Sequence, residues 1–514
     1  MIRKFLITCL GCYALSLLQA QKGQTFMNPV IPGDVADPSV LRIGTVYYAT
    51  GTSSEWAPYY PLFTSTDLVN WKQAGHLFTE QPEWTKSSFW APELFYYKGK
   101  TYAYYTARRK SDGVSYIGVA TADDPLKGFT DHGLLVEFGT EAIDAFILED
   151  KGQLYISWKA YGLDNRPIEL LASRLSSDGL RLVGEPFSLL KDDERVGMEG
   201  QHWFKQGDYY YLLYSVNSCC GPDSDYAVAV ARSKTLEGPY EKYEGNPILH
   251  GGGKVKSCGH GTFTTVPDGR MFYLCHAYLN GGDFFLGRQP ILQELIMGED
   301  GWPHFTTGET ASLQQPVPFP GTVQQPLQDF EDTFSSAVLR KEWSWNYVYS
   351  QADIRLKDGN LVLSGLPKEN CLHGTALCLR PVTADYLLET EVVNSNASSK
   401  GLVFYGDDQN MIALTCRGNR LQLKMIVDGK EQLLSDVPLP ASPLQLRMEI
   451  TEGCNSTFYW SKDKKTWNKV IASHEADKGN EGLLRWDRAA RPGLIHDGKA
   501  DEPALFSYCR MTNK

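Results

Sequence analysis

Apolar positions along residues 26–312 come in short runs punctuated by Gly, Asp and Pro, the pattern of β-strands joined by turns. The runs fall into groups. Each group opens with a polar residue inside an apolar strand: Asp37-Pro38-Ser39-Val40, Trp90-Ala91-Pro92-Glu93, Ile143-Asp144-Ala145-Phe146, Met198-Glu199-Gly200 and Gly259-His260-Gly261-Thr262. A Tyr-rich second strand follows, as in Thr101-Tyr102-Ala103-Tyr104-Tyr105 and Tyr209-Tyr210-Tyr211-Leu212-Leu213-Tyr214. Several groups add a third strand, such as Tyr226-Ala227-Val228-Ala229-Val230.

Repetition at roughly 50 to 60 residues indicates a solenoid or a propeller. About four short strands per unit fit a propeller blade, and the groups then make a five-bladed ring. The innermost strand of every blade lines the central channel, so equivalent positions converge there. Those positions hold Asp37, Glu93, Asp144, Glu199 and His260. Acids at repeat starts also cap turns, which is the plainer alternative. The apolar neighbours of Asp37 and Asp144 argue against it, because a carboxylate in a buried strand is costly without a task or a partner.

Residues 313–328 are rich in Pro and Gln and read as a surface linker. Residues 329–514 return to clear alternation, as in Tyr386-Leu387-Leu388-Glu389-Thr390-Glu391-Val392 and Leu444-Gln445-Leu446-Arg447-Met448, which suggests a β-sandwich. The predicted fold class is all-β, a five-bladed β-propeller followed by a β-sandwich.

Composition changes this picture in two places. The net charge of −11 excludes a nucleic-acid backbone as the main partner, since that favours a basic surface. The amino terminus is a targeting segment. Arg3 and Lys4 precede an apolar run that ends near Ala20, and residues 1–20 read as a signal peptide for export to the periplasm or beyond the cell. A lipid anchor at Cys12 is the alternative. No later stretch reaches the length of a transmembrane helix. Nine Cys remain after residue 20, so at least one thiol is free, and export permits disulfides. A bond from Cys219 or Cys220 to Cys258 is one arrangement, which spacing alone does not settle.

Two carboxyls across a pocket are what glycosidic hydrolysis needs, one ionised to activate water and one protonated to serve the leaving oxygen. A third carboxylate raises the acid's pKa by repulsion. Asp37, Asp144 and Glu199 supply this trio from three blades. Trp56, Trp90, Phe146 and Trp203 are candidate sugar platforms, although core packing suits any of them, Trp203 most.

These motifs, in this order, resemble glycoside hydrolase family 43, the five-bladed propeller glycosidases, over about residues 26–310. The likeness is carried by Ala36-Asp37-Pro38-Ser39-Val40, Trp90-Ala91-Pro92-Glu93, Ile143-Asp144, Glu199-Gly200, Gly259-His260-Gly261 and Gly301-Trp302-Pro303. The resemblance implies an inverting mechanism with Asp37 as general base, Glu199 as general acid and Asp144 raising and orienting that acid. It implies that Arg288 helps hold the substrate or the pocket, and that His260 faces a central calcium ion or water. No cofactor is required; a structural calcium ion is the one allowed. Ala145 and Gln201 depart from the family, where Pro is common. The second domain resembles the concanavalin-like sandwich appended to many members, which in some lends a loop to the active-site rim. The implied activity is exo-cleavage of terminal α-L-arabinofuranosyl or β-D-xylosyl units from plant cell-wall glycans. A galactosyl or arabinan target, or carbohydrate binding without catalysis, are the alternatives. Residues 53–60, 161–166 and 218–225 are the expected rim of the pocket.

Overall fold

The structure, a computed structural model, describes residues 24–371, 373–471 and 489–514. The expected signal peptide and Cys12 lie outside the described residues. The propeller consists of five four-stranded antiparallel sheets, each built from consecutive strands. Their innermost strands are Ser39–Ile43, Thr85–Tyr97, Ala142–Asp150, Met198–Gln206 and Val255–Thr265. The Tyr-rich runs are explained by blades being buried on both faces. In blade 2, Tyr104 packs with Ile147 and Trp158 of blade 3, while Tyr105 packs with Tyr60 and Leu62 of blade 1. Both sides of such a strand are core, so strict polar alternation is lost.

Four inner strands break their regular pairing near the axis, and blade 1 adopts the same backbone turn just before its inner strand begins. Asp37, Ala91, Asp144, Gly200 and His260 all have positive φ, between 39° and 59°. Ladder slips accompany four of them, at Trp90/Glu93, Ile143/Phe146, Glu199/His202 and Gly259/Gly261. A bulge leaves one amide without its ladder partner. Here a side chain from the preceding blade accepts it. The Ala91 N–H donates to Thr52 Oγ1 (2.9 Å), Asp144 to Thr106 Oγ1 (3.2 Å), His260 to Ser215 Oγ (2.6 Å) and Asp37 to His276 Nδ1 (3.0 Å). The Gly200 N–H donates to Asp144 Oδ2 itself (3.0 Å).

This ring corrects the register read from sequence. The backbone equivalents of Asp37 and Asp144 are Ala91 and Gly200, so Glu93 lies two residues beyond the common position and Glu199 one before it. Gly200 is required there twice over: it has φ +59°, and a Cβ would meet His260 Cγ at 2.6 Å. Glu93 does not line the site cavity. Burial pushes its carboxyl up to about 8 against a hydrogen bond from Ser39.

The expected linker is a strand at its start. Gln314–Pro316 pairs with Thr25–Met27, and Gln315 Nε2 donates to Gln293 Oε1 at 2.6 Å. Residues 323–329 are exposed. The second domain is a sandwich of an eight-stranded and a seven-stranded sheet around one apolar core that includes Trp343, Leu388, Leu402 and Leu446. It is sewn to blade 1, because Ala57 and Trp345 exchange two backbone hydrogen bonds of 3.0 and 2.8 Å. The suggested bond to Cys258 is also corrected. Cys219 and Cys220 are bonded to each other, and Cys258 is a buried free thiol.

Candidate active site

A cavity of about 660 Å³ lies where the inner strands converge, and Asp37, Asp144, Glu199, His260 and Arg288 line it. Its walls take Glu55 from blade 1, Trp90 and Arg108 from blade 2, Gly162 and Leu163 from blade 3, and Cys219 and Cys220 from blade 4. Val348 and Tyr349 of the sandwich complete the rim. All three rim segments expected from sequence therefore contribute. A larger cleft of about 1080 Å³ runs between the outer edge of blades 1 and 2 and the sandwich entry, past Trp84, Phe129 and Val338. None of the three converging carboxylates lines it, so size does not mark the site here.

Asp37 is held as an anion. Arg288 Nη1 donates to its Oδ1 at 3.1 Å and Thr52 Oγ1 to its Oδ2 at 2.6 Å. Burial alone would raise this carboxyl. The Arg288 guanidinium outweighs that and holds it well below the ordinary carboxylate range. His276 is fully buried and neutral, since burial lowers it to about 4. Its Nδ1 lone pair is thereby free to accept the Asp37 amide.

Asp144 and Glu199 are held apart in the opposite sense from the one expected. Burial pushes Asp144 up to about 7, with the Glu199 and Asp37 charges adding to the effect against His260 and Lys159. Glu199 feels the same burial, but Lys159 beside it wins and keeps it below the usual carboxylate value. Lys159 Nζ lies 2.9 Å from Glu199 Oε2 and 3.4 Å from Glu141 Oε2. Tyr226 Oη donates to Glu199 Oε1 at 3.0 Å. Both Glu199 oxygens thus accept from donors, which favours its ionised form, while burial favours the protonated form of Asp144. Glu199 is the more accessible of the two, with its side chain 21% exposed against 6% for Asp144.

His260 Nδ1 stands 3.5 Å from Asp37 Oδ1 and 3.8 Å from Asp144 Oδ2. Among the described residues no group of three or more His, Cys, Asp or Glu is arranged to hold a metal ion. Calcium takes six to eight oxygen ligands, and His260 offers it none.

The other sequence candidates separate. Trp90 lines the cavity with the Arg108 guanidinium 5.5 Å above its ring. Its indole N–H is buried without a hydrogen-bond partner. Trp56 and Phe146 do not line the cavity, which corrects their reading as sugar platforms. Trp56 packs edge-on against Tyr405 of the sandwich (5.7 Å) beneath Arg491 (4.3 Å). Phe146 is buried against His202 at 4.3 Å, between blades 3 and 4. Trp203 is core, its indole N–H donating to Tyr240 Oη at 2.7 Å. Gln201 fills the position where Pro was expected by donating from Nε2 to the Asp144 carbonyl (2.5 Å) and to Ser157 Oγ (3.3 Å). It thereby ties the Glu199 strand to blade 3. Lys159, Tyr226, Thr52 and His276 escaped the sequence reading. The one available signal was Lys159, a lysine at the end of the apolar run Leu154-Tyr155-Ile156-Ser157-Trp158.

Three carboxyls in one cavity, Asp37 fixed as an anion and the other two with their proton affinities pushed apart, can serve acid–base hydrolysis of an acetal. Comparison with known proteins agrees. Residues 26–303 match the model of Glycosyl hydrolases family 43, and residues 331–481 that of the Beta xylosidase C-terminal Concanavalin A-like domain. The chain is 29% identical over 388 residues to the non-reducing end alpha-L-arabinofuranosidase BoGH43B of Bacteroides ovatus, covering 70% of this chain and 69% of that protein. It is 27% identical over 541 aligned positions to a beta-xylosidase of Bacillus subtilis, covering 95% and 99%. The GH43 BlXynB protein of Bacillus licheniformis shares the fold, with a TM-score of 0.81 at 21% identity over 96% of this chain and 100% of that one. Blade order, the converging carboxylates and the matched span lead to one conclusion: the chain belongs to glycosyl hydrolases family 43 and is a glycoside hydrolase.

Proposed function

We propose that the enzyme is an exo-acting, inverting glycosidase that removes terminal α-L-arabinofuranosyl or β-D-xylosyl units from plant cell-wall polysaccharides or their oligosaccharides, after export from the cell. The observation that carries this reading is the cavity itself. Loops from four blades and the Val348–Tyr349 segment of the sandwich surround the carboxylates. Such a pocket suits a chain end better than a chain interior. The names of the relatives, arabinofuranosidase and beta-xylosidase, supply the sugar.

In this reading Asp37 takes a proton from water as that water attacks the anomeric carbon. Glu199, in its protonated form, gives a proton to the departing oxygen, and Asp144 orients it by accepting the Gly200 amide that follows it in the chain. Arg288 and Thr52 hold Asp37 in its ionised form and fix its direction. Inversion calls for base and acid carboxyls about 6.5–9.5 Å apart, which leaves room for the water.

The test is product analysis on arabinan, arabinoxylan, xylan and galactan, with nitrophenyl pentosides and a nitrophenyl galactoside alongside and the anomeric proton followed by NMR. Release of single pentoses with inverted configuration is expected. Galactose release without pentose release would overturn the sugar assignment, and a retained first-formed anomer would overturn the mechanism.

A further inference from the structure

Cys219 and Cys220, joined to each other, both border the cavity that holds Glu199. A bond between neighbouring cysteines closes a small covalent ring that contains the peptide linking them. Its outer face is made of sulfur and methylene groups, which are apolar and polarisable. Such a face in a cavity otherwise rich in charged groups calls for an explanation.

Its position supplies one. The strand Tyr209–Val216 pairs with the acid's own strand, Ser215 lying opposite Glu199 and Val216 opposite Met198. The ring follows just beyond that hairpin's open end. The loop carrying it is pinned throughout. The Asn217 N–H donates to the Val196 carbonyl (3.0 Å), Ser218 N–H to Asp225 Oδ1 (2.9 Å) and Gly221 N–H to Tyr278 Oη (3.2 Å). Ser224 Oγ donates to the Cys219 carbonyl at 3.0 Å, and Cys220 is buried. The loop ends at Tyr226, which grips Glu199. Wall and acid are thus one rigid unit of blade 4, while Asp37 and Arg288 belong to blades 1 and 5.

A general acid faces the oxygen of the leaving group, and the base faces the other side of the scissile bond. The blade 4 wall beside Glu199 therefore borders the leaving group. We propose that the Cys219–Cys220 ring is the apolar platform on which the sugar of the leaving group rests, and so a specificity-determining element of this enzyme. The inference rests on the glycosidase reading above. The partner chemistry is the C–H face of a pyranose or furanose ring. The platform matters only for substrates whose leaving group is a sugar.

The experiment compares two substrates that share the terminal pentose. One is the pentosyl oligosaccharide and the other the pentosyl fluoride, whose leaving group is a bare ion too small to touch the wall. The readout is the ratio of their kcat/KM values, for the wild type and for the Cys219→Ser/Cys220→Ser double variant. A fall in that ratio of about tenfold is expected, the scale of losing one apolar contact surface in a specificity pocket. The same fall is expected in wild-type enzyme treated with a water-soluble phosphine. The phosphine takes up oxygen from water and passes two electrons to the disulfide, and mass spectrometry counts the two hydrogens gained. This arm decides the matter if the double variant fails to fold. An unchanged ratio after the ring is opened overturns the platform, whatever happens to the absolute rates. A wild type inert on both substrates overturns instead the glycosidase reading on which it rests.

Discussion

At the scale of single residues the site is a contest between burial and charge, decided separately for each carboxyl. Asp37→Asn and Glu199→Gln should each lower kcat by about 10²–10⁴-fold, the usual worth of acid–base groups, in steady-state assays on a nitrophenyl pentoside. Lys159 offers a sharper check. Glu199 faces Lys159, Tyr226, Asp144, Asp37 and His260, and Lys159 is the group that depresses it most. Lys159→Met should raise the Glu199 pKa and carry the basic limb of the kcat/KM profile to higher pH. Lys159→Arg should leave that limb in place. A fall in rate at every pH with no shift would mean that the lysine only packs. Asp144 has the opposite sign. Its folded pKa of about 7 lies above the unfolded value near ~3.9, so its ionisation costs stability increasingly as pH rises between the two. Asp144→Asn keeps an oxygen for the Gly200 amide. It should raise Tm at pH 7, with the gain vanishing below about pH 4, as calorimetry across pH would show. The sequence disclosed Asp37, Asp144, Glu199, Trp90 and His260 because polar or aromatic residues stood in motifs within apolar strands, whereas Arg288 came only from the family resemblance. It concealed Lys159, because a strand lysine ordinarily points to solvent. It misplaced Trp56 and Phe146, because an aromatic beside a motif has equal reason to be core.

At the scale of elements, the inner strands owe their aim to the bulges and the bulges to their acceptors. Each left-handed residue turns its neighbours toward the axis, and its freed amide is satisfied from the blade before it. The same contact therefore shapes the site and joins adjacent blades. Thr106→Val keeps the side-chain shape while removing the oxygen that receives the Asp144 amide. A buried donor without a partner costs about 1–3 kcal/mol, which denaturant titration should register. Misaim of Asp144 should lower kcat as well. Blade number and strand order were legible from repeat spacing and Tyr-rich runs. The offset of Glu93 and Glu199 from the common position was not. A bulge adds one residue without changing the apolar pattern around it, so only backbone angles reveal it.

At the scale of the whole molecule, the sandwich is part of the pocket. Val348 and Tyr349 reach the cavity just after the point where Trp345 is hydrogen-bonded to Ala57. The seam beside that point is closed by Trp56, wedged between Tyr405 and Arg491. Arg491 also donates from Nη1 to Ser344 Oγ at 3.0 Å, next to Trp345 in the chain. A residue outside the cavity thus holds the segment that forms one of its walls. Trp56→Ala should cost about 3–5 kcal/mol, the usual scale for emptying a buried aromatic site. Its kinetic effect should fall on substrate binding, because Asp37, Glu199 and Lys159 keep their own partners when the sandwich edge loosens. The expected profile is a raised KM with kcat within about threefold, at temperatures well below the lowered Tm. Trp56→Phe, which keeps a ring against Tyr405, should recover most of the KM change. Were Tm to fall while KM stayed at the wild-type value, the sandwich would be a brace for the propeller and its loop no part of substrate recognition.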